Sequence, residues 1–531
     1  MLNSELSYKE TKYFNSLFCD YLDTKDVLKE FYNNTPELNS FKDQIIEKQS
    51  NYDPKFREKL KNIILKQYSC IEINDKLKNT IHSLTDINTF TITTGHQLCL
   101  FTGPLYFIYK ILTTINLTQK LKDNYPKYNF LPVYWMATED HDFEEIKSFN
   151  FQNSNLYFNS IEKGPVGDIS TKEIDSTIDN FASLLPDNNN SRELIELFKS
   201  SYLESDNLSQ ATRKLVHKLF KKYNLIIFDS NSKDLKNIFK PVIKVELYKN
   251  LIFNNSKSSI NRLVSKGYKI QVNPREINLF YITKGYRSRI IKNKNLFMTD
   301  DNLFSWNEDE IDKELSNNPE RFSPNVLLRP IFQEYILPNL CYVGGASEIS
   351  YWLELKNCFD KLNLTYPILL NRNSVLLIES KQLNKLNRLG LDVKDLFLKE
   401  HELIAKYLMK LNLNQFNFNE QQNFLVNQFS ELRDIAIKTD KSFIGAVNAQ
   451  EKKQIKGLLN LEKRLLKANK KLNIDKIKRV TKLLNELFPN SKLQERVINF
   501  SEFYINNGND IIDKIYKNLD SLNKKFTIIE V

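Results

Sequence analysis

A group of ionisable residues follows an apolar run in the first third of the chain. The run Phe130 to Ala137 predicts a buried strand, and Glu139, Asp140, His141 and Asp142 come shortly after it. Carboxylates and an imidazole at this spacing could bind Mg²⁺ or Zn²⁺, orient an amine or accept its proton. The alternative is a solvated surface loop. Because consecutive residues rarely all point at one ion, we predict no metal site and assign these four residues a catalytic role.

A second polar segment, TTGHQLCLFTGP, begins where a β-branched run from Thr89 ends. Backbone amides of a glycine-containing loop before a helix form a ready anion site, and Pro104 opens such a helix here. His96 could donate to a phosphate oxygen as charge develops there. The loop resembles the HxGH-type loop of nucleotidylyltransferases and class I synthetases, although a tight turn with a hydrogen-bonded histidine is the alternative. Its candidate binding residues are Thr94, Gly95, Gln97, Phe101, Gly103 and Lys110.

A third group of candidate binding residues lies between positions 329 and 372. Arg329 is predicted at a strand end, where arginine suits bidentate recognition of a carboxylate or phosphate. A glycine pair would let a ligand approach the backbone before a helix, although a simple glycine turn over a packed core is the alternative. The candidates are Arg329, Gln333, Gly344, Gly345, Glu348, Tyr351 and Arg372.

Alternating strands and helices predict an α/β fold with a doubly wound parallel sheet. In such a sheet, ligands bind at the carboxyl ends of the strands, so the loops at Gln97 and Asp140 should face one crevice. The predicted segments are a helical cap (1–88), sheet core (89–148, 208–235 and 326–380), an irregular insertion (149–207), an insertion with antiparallel strands (236–325) and a helical coiled-coil domain (381–531).

The last segment is almost entirely helical in pattern. Apolar residues at three-four spacing form a coiled-coil seam that could pair two subunits or close an intramolecular hairpin. The seam residues are Ile455, Leu458, Leu461, Leu465, Ala468 and Leu472. The segment LFPNSKLQERVINF interrupts the helices at Pro489 and by itself predicts only an interhelical turn.

Composition limits the class of protein. The 531 residues are 41% hydrophobic and 27% charged, which is ordinary for a soluble globular chain of two or three domains. Five scattered cysteines predict free thiols in the cytoplasm, and no apolar run is long enough to cross a membrane. The net charge is +11, which could indicate an anionic partner. Because the chain contains no recognised nucleic-acid-binding motif, we favour a small phosphorylated ligand as that anion.

Six segments in this order resemble the bacillithiol-synthesis cysteine-adding enzymes, the BshC family of cysteine ligases. They are TTGHQLCLFTGPLYFIYK, PVYWMATEDHDFEEI, FSPNVLLRPIFQEYILPNL, YVGGASEISYWLELK, PILLNR and LFPNSKLQERVINF. The resemblance implies a Rossmann-like core with inserted segments and a C-terminal coiled coil that forms a homodimer. Many members have glutamine at the position of His96. Many also read GGPGE where this chain has GGASE, and Glu348 is the residue of that segment, after the glycine pair, that matches the family pattern.

The resemblance further implies that the protein adds L-cysteine to glucosaminyl-malate in the last step of bacillithiol synthesis. Carboxylates are poor acyl donors, so we expect ATP, with Mg²⁺, to activate cysteine as an adenylate or acyl phosphate. Asp140, His141 and Asp142 would bind or deprotonate the amine, and Arg329 and Arg372 would bind the malate carboxylates. The alternatives are a non-catalytic dimeric scaffold and an adenylate-forming synthetase or nucleotidylyltransferase that acts on another acid.

Overall fold

The computed structural model describes residues 3–152, 154–410 and 418–531. It divides into a core unit, Met1–Leu377 with Leu493–Ile529 and Val531, and a helical unit, Ile378–Lys492 with Glu530. The strands are β1 (Asn3–Ser7), β2 (Thr89–His96), β3 (Asn129–Met136), β4 (Ser148–Phe151), β5 (Ser154–Tyr157), β6 (Ile226–Asp229), β7 (Leu279–Thr283), β8 (Tyr286–Asn293), β9 (Leu296–Thr299), β10 (Ser305–Trp306), β11 (Phe322–Pro324), β12 (Asn339–Gly344), β13 (Ile368–Asn371), β14 (Val375–Ile378) and β15 (Lys525–Glu530).

Most of the α-helices belong to the core unit. They are Tyr8–Thr11, Ser16–Leu22, Ser40–Asn51, Lys55–Gln67, Asp75–His82, Tyr106–Asn124, Phe143–Ile146, Asp175–Leu184, Asn189–Tyr202, Leu208–Phe220, Lys233–Lys249, Leu251–Ser265, Glu308–Asn317, Leu328–Ile336, Ala346–Trp352, Lys356–Lys361, Ser501–Asn507 and Asp510–Asn518. The helical unit contains Ser380–Arg388, Glu400–Lys410, Asn419–Thr439, Ile444–Leu472 and Ile474–Leu487.

The central sheet has the order β13-β12-β2-β3-β6, and its printed strand pairs are parallel. From β2 the chain builds outward through β3 and β6, then returns to the other side of β2 for β12 and β13. This order confirms the doubly wound fold. It also places the topological switch point between β2 and β12, where the carboxyl ends of adjacent strands leave a crevice.

β2 is buried along its whole length, which explains its β-branched composition. Phe90 and Ile92 pack into one core cluster with Leu117 and Leu121 of the helix Tyr106–Asn124. Each such buried side chain contributes about 1.5–3 kcal/mol relative to exposure. This packing fixes the helix that carries Lys110 directly over the strand that ends at His96.

The two insertions differ in how well the sequence predicted them. The segment 149–207 was expected to be irregular, but it contains the β4–β5 hairpin and two helices, Asp175–Leu184 and Asn189–Tyr202. The apolar residues of the two helices, including Phe181 and Phe198, are fully buried against one another. The many polar residues between them obscured the helical spacing of these apolar positions in the sequence. The second insertion does form an antiparallel sheet, in the order β10-β9-β8-β7-β11.

Two local predictions were wrong. The segment around Tyr268, expected to be a strand, lies outside the strands because the amides of Gln271 and Val272 donate to Glu354 instead of a neighbouring strand. Arg329, expected at a strand end, lies in the helix Leu328–Ile336. The C-terminal region is almost entirely helical as predicted, but it also contains β15, which pairs with β1 in a three-stranded sheet with β14.

The predicted helical domain of 381–531 is shorter in the structure. The helical unit ends at Lys492, and residues from Leu493 onward return to the core unit because buried side chains there bond to the core strands. Within the helical unit, Phe429 and Ala436 pack against Val447, which joins Asn419–Thr439 to Ile444–Leu472. Farther along the second helix, Leu459 and Leu461 are 40% and 54% exposed. The side chain of Leu472 lies outside the described residues.

Candidate active site

A cavity of about 820 Å³ opens at the carboxyl ends of the central strands. This volume is in the range of small-molecule sites. Its wall includes Gly95 after β2, Asp140 after β3, Gly345 after β12 and Arg372 after β13. The antiparallel insertion closes the cavity from outside the sheet and contributes Arg287 among others. The cavity therefore occupies the crevice that the strand order predicts.

The loops after β2 and β3 meet through Gln97. Its side-chain amide donates to Asp140 at 3.0 Å and to Glu145 at 2.7 Å. Burial favours the neutral form of Asp140, but hydrogen bonds from His141 and Gln97 and the charge of Arg287 outweigh burial, so the pKa of Asp140 lies well below its usual range. Asp140 is therefore a permanent anion near neutral pH, suited to holding an ammonium group rather than to accepting a proton.

The other members of the acidic cluster have separate roles. Glu139 forms an ion pair with the buried Lys236 at 2.6 Å and accepts from Ser230 at 3.1 Å. Burial lowers the pKa of Lys236 although Glu139 opposes the shift. Removing either partner of such a buried pair lowers the free energy of unfolding by about 3–5 kcal/mol. Glu139 therefore stabilises the part of the cavity wall next to Asp140.

His141 and Asp142 lie farther out. The Nδ1 atom of the exposed His141 accepts from Arg287 at 2.6 Å, and the Arg287 guanidinium stacks 3.7 Å from the centre of the Phe280 ring. Asp142 does not line the cavity: its side chain caps the short helix Phe143–Ile146 by accepting from the Glu145 amide at 3.2 Å. The structure thus places Asp142 at a helix end and outside the cavity lining, and its catalytic role remains a prediction.

The floor of the cavity is an ion pair between the helix after β2 and the helix after β12. Lys110 donates to Glu348 at 2.5 Å and to the Gly95 carbonyl at 2.7 Å. Glu348 also accepts from the Gly345 amide at 2.8 Å and from the Tyr342 hydroxyl at 2.5 Å. Burial alone would raise the pKa of Glu348, but Lys110 and these donors hold it at about 2. The two charges neutralise each other, so this pair forms a rigid floor for the cavity.

Two arginines predicted to bind carboxylates differ in availability. Arg329 donates to Gln333 at 3.0 Å and to Tyr351 at 3.4 Å, and among the described residues no carboxylate forms an ion pair with it. Arg372 is buried, and its two terminal nitrogens bind the carboxylate of Glu495 at 2.9 and 2.7 Å, while its Nε atom has no partner. Arg329 is thus the freer of the two for an anionic ligand.

His96 lines the cavity but is 93% buried, since only 7% of it is exposed. Its Nδ1 atom lies 2.9 Å from the Gln97 carbonyl, which can only accept, so Nδ1 carries the proton and Nε2 is the bare nitrogen. Burial, reinforced by the charge of Lys110, lowers the pKa of His96 to about 3. The single proton of the neutral ring is donated to the Gln97 carbonyl, and donation from His96 to a phosphate oxygen remains a prediction.

Several predicted binding residues do not line the cavity. Thr94 donates to the Val343 carbonyl at 2.8 Å and so joins β2 to β12. Phe101 stacks on Phe198 with ring centroids 4.1 Å apart. Gly103 has a φ of +62°, and a Cβ there would lie 2.6 Å from Cys99. Gln333 and Gly344 also do not line the cavity; the first is fully buried and supports Arg329.

The sequence reasoning missed most of the cationic lining. The cavity is lined by seven lysine and arginine residues, Lys110, Arg275, Arg287, Arg289, Arg329, Arg372 and Arg496, but by only four carboxylates, Glu139, Asp140, Glu145 and Glu348. Arg287 and Arg289 are two apart on β8 and therefore share one face, a signal that could have been read from the sequence. Tyr106 and Asn325 were also missed. The surplus of positive charge favours an anionic ligand.

No helix in the described part of the chain is long and apolar enough to cross a membrane. In the same residues, no group of three histidine, cysteine or carboxylate side chains is placed to hold a metal ion.

Comparison with known proteins covers the whole chain. Residues 1–373 match the family model described as bacillithiol biosynthesis BshC, N-terminal Rossmann-like domain. Residues 375–531 match the model described as bacillithiol biosynthesis BshC, C-terminal coiled-coil domain. A Flavobacterium johnsoniae protein named "Putative cysteine ligase BshC" is 49% identical over 99% of both chains. Proteins of the same name from Christiangramia forsetii and Cytophaga hutchinsonii are 47% and 34% identical, over 99% and 97% of this chain and 98% and 96% of theirs. The chain belongs to the BshC family of bacillithiol biosynthesis.

Proposed function

We propose that this protein is an ATP-dependent ligase that joins the carboxyl group of L-cysteine to the sugar amine of glucosaminyl-malate. The relatives' printed name supports a cysteine ligase. The observation that carries the proposal is that a single cavity contains both an acidic corner, formed by Asp140 and Glu145, and a surplus of arginines. An amino sugar linked to a dicarboxylate needs both kinds of partner.

Asp140 is the proposed anchor for the amine. Gln97 fixes one of its oxygens, and the His141 amide fixes the other at 2.7 Å, so the carboxylate cannot rotate away from the cavity. A carboxylate with a depressed pKa attracts an ammonium group and holds its nitrogen in a defined position. Once the ammonium group has lost a proton to solvent, this orientation raises the effective concentration of the free amine, the nucleophile, beside the activated acid.

The malate carboxylates are proposed to bind on the arginine side. Arg329 presents a planar guanidinium that lies 5.2 Å from the Tyr342 ring and is held by Gln333, so its orientation is fixed before a ligand arrives. Guanidinium groups bind carboxylates through two parallel hydrogen bonds. Arg372 can offer only its Nε atom, because Glu495 occupies the other nitrogens.

Activation of cysteine is proposed to use ATP together with Mg²⁺, since a free carboxylate does not acylate an amine. An adenylate or an acyl phosphate would serve equally, and both release a phosphate-containing leaving group when the amine attacks. Arg275 and Arg289 have no ion-pair partner among the described residues and could neutralise charge on phosphate oxygens. We further propose that the C-terminal helices form a homodimer and that the enzyme works in the cytoplasm.

The test is nucleotide turnover by the purified full chain. Release of phosphate or pyrophosphate that requires both L-cysteine and glucosaminyl-malate supports the ligase. Release with a different acid in place of cysteine supports an adenylate-forming synthetase or nucleotidylyltransferase instead. Binding of ATP without any turnover supports a non-catalytic scaffold.

A further inference from the structure

The segment Gln494–Asn499 belongs by sequence to the C-terminal region but lies against the candidate active site. The Gln494 side chain accepts from the Leu377 amide and donates to the Leu377 carbonyl, both at 2.9 Å. This pair of bonds imitates one rung of a β-ladder beside β14. Gln494 thus fixes the start of the segment to β14.

The next residue, Glu495, is fully buried. Its carboxylate takes both terminal nitrogens of Arg372 and also accepts from the Val375 amide at 3.2 Å. Arg372 follows β13 and lines the cavity, so Glu495 sets how that guanidinium is turned. Glu495 is therefore a positioning residue for Arg372, from which it is 123 residues distant in the chain.

Asn499 fixes the loop after β2 from the same segment. Its side-chain amide donates to the Phe101 carbonyl at 2.9 Å and to the Gly103 carbonyl at 2.6 Å. Phe101, Thr102 and Gly103 have φ values of +46°, +73° and +62°, a left-handed conformation that costs non-glycine residues energy. The two bonds from Asn499 help to hold that conformation.

Arg496 lies between these anchors. It lines the cavity and is exposed, and none of the described residues forms an ion pair or hydrogen bond with its guanidinium. Its backbone is held in a short 3₁₀ turn, Gln494–Arg496, and buried residues flank it on the N-terminal side. An arginine on a fixed backbone beside a cavity, with no ion-pair or hydrogen-bond partner among the described residues, is ready to bind an anion.

We propose that Arg496 binds an oxyanion of the ligand, a carboxylate or a phosphate, and that Gln494, Glu495 and Asn499 position it together with Arg372 and the loop after β2. The C-terminal region thus supplies a ligand-binding residue to the crevice of the sheet. The identity of the ligand rests on the proposed function, but anion binding by Arg496 does not require turnover.

The test compares Arg496→Gln with Lys492→Gln, a matched control because Lys492 is an exposed cation two residues before the segment and does not line the cavity. Calorimetric titration with glucosaminyl-malate and, separately, with ATP should show at least tenfold weaker binding of one ligand to Arg496→Gln. Weaker glucosaminyl-malate binding identifies a carboxylate, and weaker ATP binding identifies a phosphate. Arg496→Lys should restore part of the loss, and Lys492→Gln should bind as the wild type does.

Unchanged affinity of Arg496→Gln for both ligands overturns the proposal, as does a wild-type protein that binds neither. A protein that binds through Arg496 but forms no product would reject the ligase and leave the binding residue in place. A protein that forms product equally well with Arg496→Gln, with unchanged KM for both ligands, would keep the ligase and reject Arg496.

Discussion

The side-chain amide of Gln97 donates to the carboxylate of Asp140 across 3.0 Å. The two residues follow adjacent parallel strands and are 43 positions apart in the chain. Their contact joins the two loops into one wall of the cavity, and it explains why Asp140 remains ionised at a partly buried position. The amine-binding half of the proposed mechanism depends on this contact.

Asp140→Asn should lower turnover by roughly a hundredfold, the scale expected when a group that positions the nucleophile is lost. The neutral amide cannot balance an ammonium charge, although it keeps the shape of the side chain. Steady-state rates and thermal unfolding of the same preparation check this, and the melting temperature should barely change. Asp142→Asn is the matched control, because asparagine caps a helix as well as aspartate does and residue 142 does not line the cavity. A large fall in melting temperature with normal activity per folded molecule would show that Asp140 is structural.

His96→Gln should retain turnover within about tenfold, because the one proton of the neutral, buried imidazole is already donated to the Gln97 carbonyl. A lowered pKa also means that acid favours the unfolded chain, which binds the proton more tightly. The stability due to this residue is therefore present above the usual pKa of 6.5 and is lost as the pH falls from there towards 3. Thermal unfolding at pH 7 and pH 5 should show a smaller acid loss for His96→Gln. A thousandfold loss of turnover at pH 7 would restore His96 as a proton donor.

The sheet and its crevice could be predicted because the relevant signals are local. A β-branched run such as Thr89–Thr94, an apolar run before Glu139 and a glycine pair before a helix each mark one strand end. The parallel order of those strands then brings the loops together. The hydrogen bond between Gln97 and Asp140 agrees with the prediction that these two loops face one crevice.

Which side chains in a loop face the cavity could not be predicted, because this depends on backbone angles and distant partners. Phe101 belongs to the same motif as Gln97, yet it stacks on Phe198 in a stretch of three consecutive positive φ values and does not line the cavity. The partner of Arg372 is Glu495, 123 residues away, and no sequence period connects them. The C-terminal strand β15 was missed for the same reason, since its partners are β1 and β14.

Glu354→Gln should make the protein's stability less dependent on pH between 5 and 8. Burial raises the pKa of Glu354 from 4.5 to about 7, although the amides of Gln271 and Val272 oppose the shift. The folded state therefore favours the protonated acid, and stability falls as the pH rises from about 4.5 to 7. The melting temperature of the variant should fall less than that of the wild type between pH 5 and pH 8.

The matched control for Glu354 is Glu276→Gln, an exposed glutamate near the same segment. This control should follow the wild type at both pH values. An unchanged pH dependence in Glu354→Gln would show that Glu354 ionises normally in the folded protein.

The protein should form a homodimer at micromolar concentration, as measured by light scattering. Leu461 is 54% exposed in a single chain, and burial of a leucine contributes about 1.5–3 kcal/mol. The double variant Leu461→Glu, Leu465→Glu should therefore dissociate, because it would bury charge in the interface. Leu303→Glu changes a leucine that is 69% exposed in the core unit and should leave the dimer intact. A monomeric wild type would reject the dimer, and a dimeric double variant would place the interface elsewhere.

The most direct measurement of the central claim is mass-spectrometric detection of product from purified protein, L-cysteine, glucosaminyl-malate and ATP with Mg²⁺. The account predicts bacillithiol, formed with loss of one water from the two substrates and absent when ATP or cysteine is omitted. Asp140→Asn should form it about a hundredfold more slowly. Failure of the wild type to form bacillithiol, in conditions where a cellular extract does form it, would contradict the account.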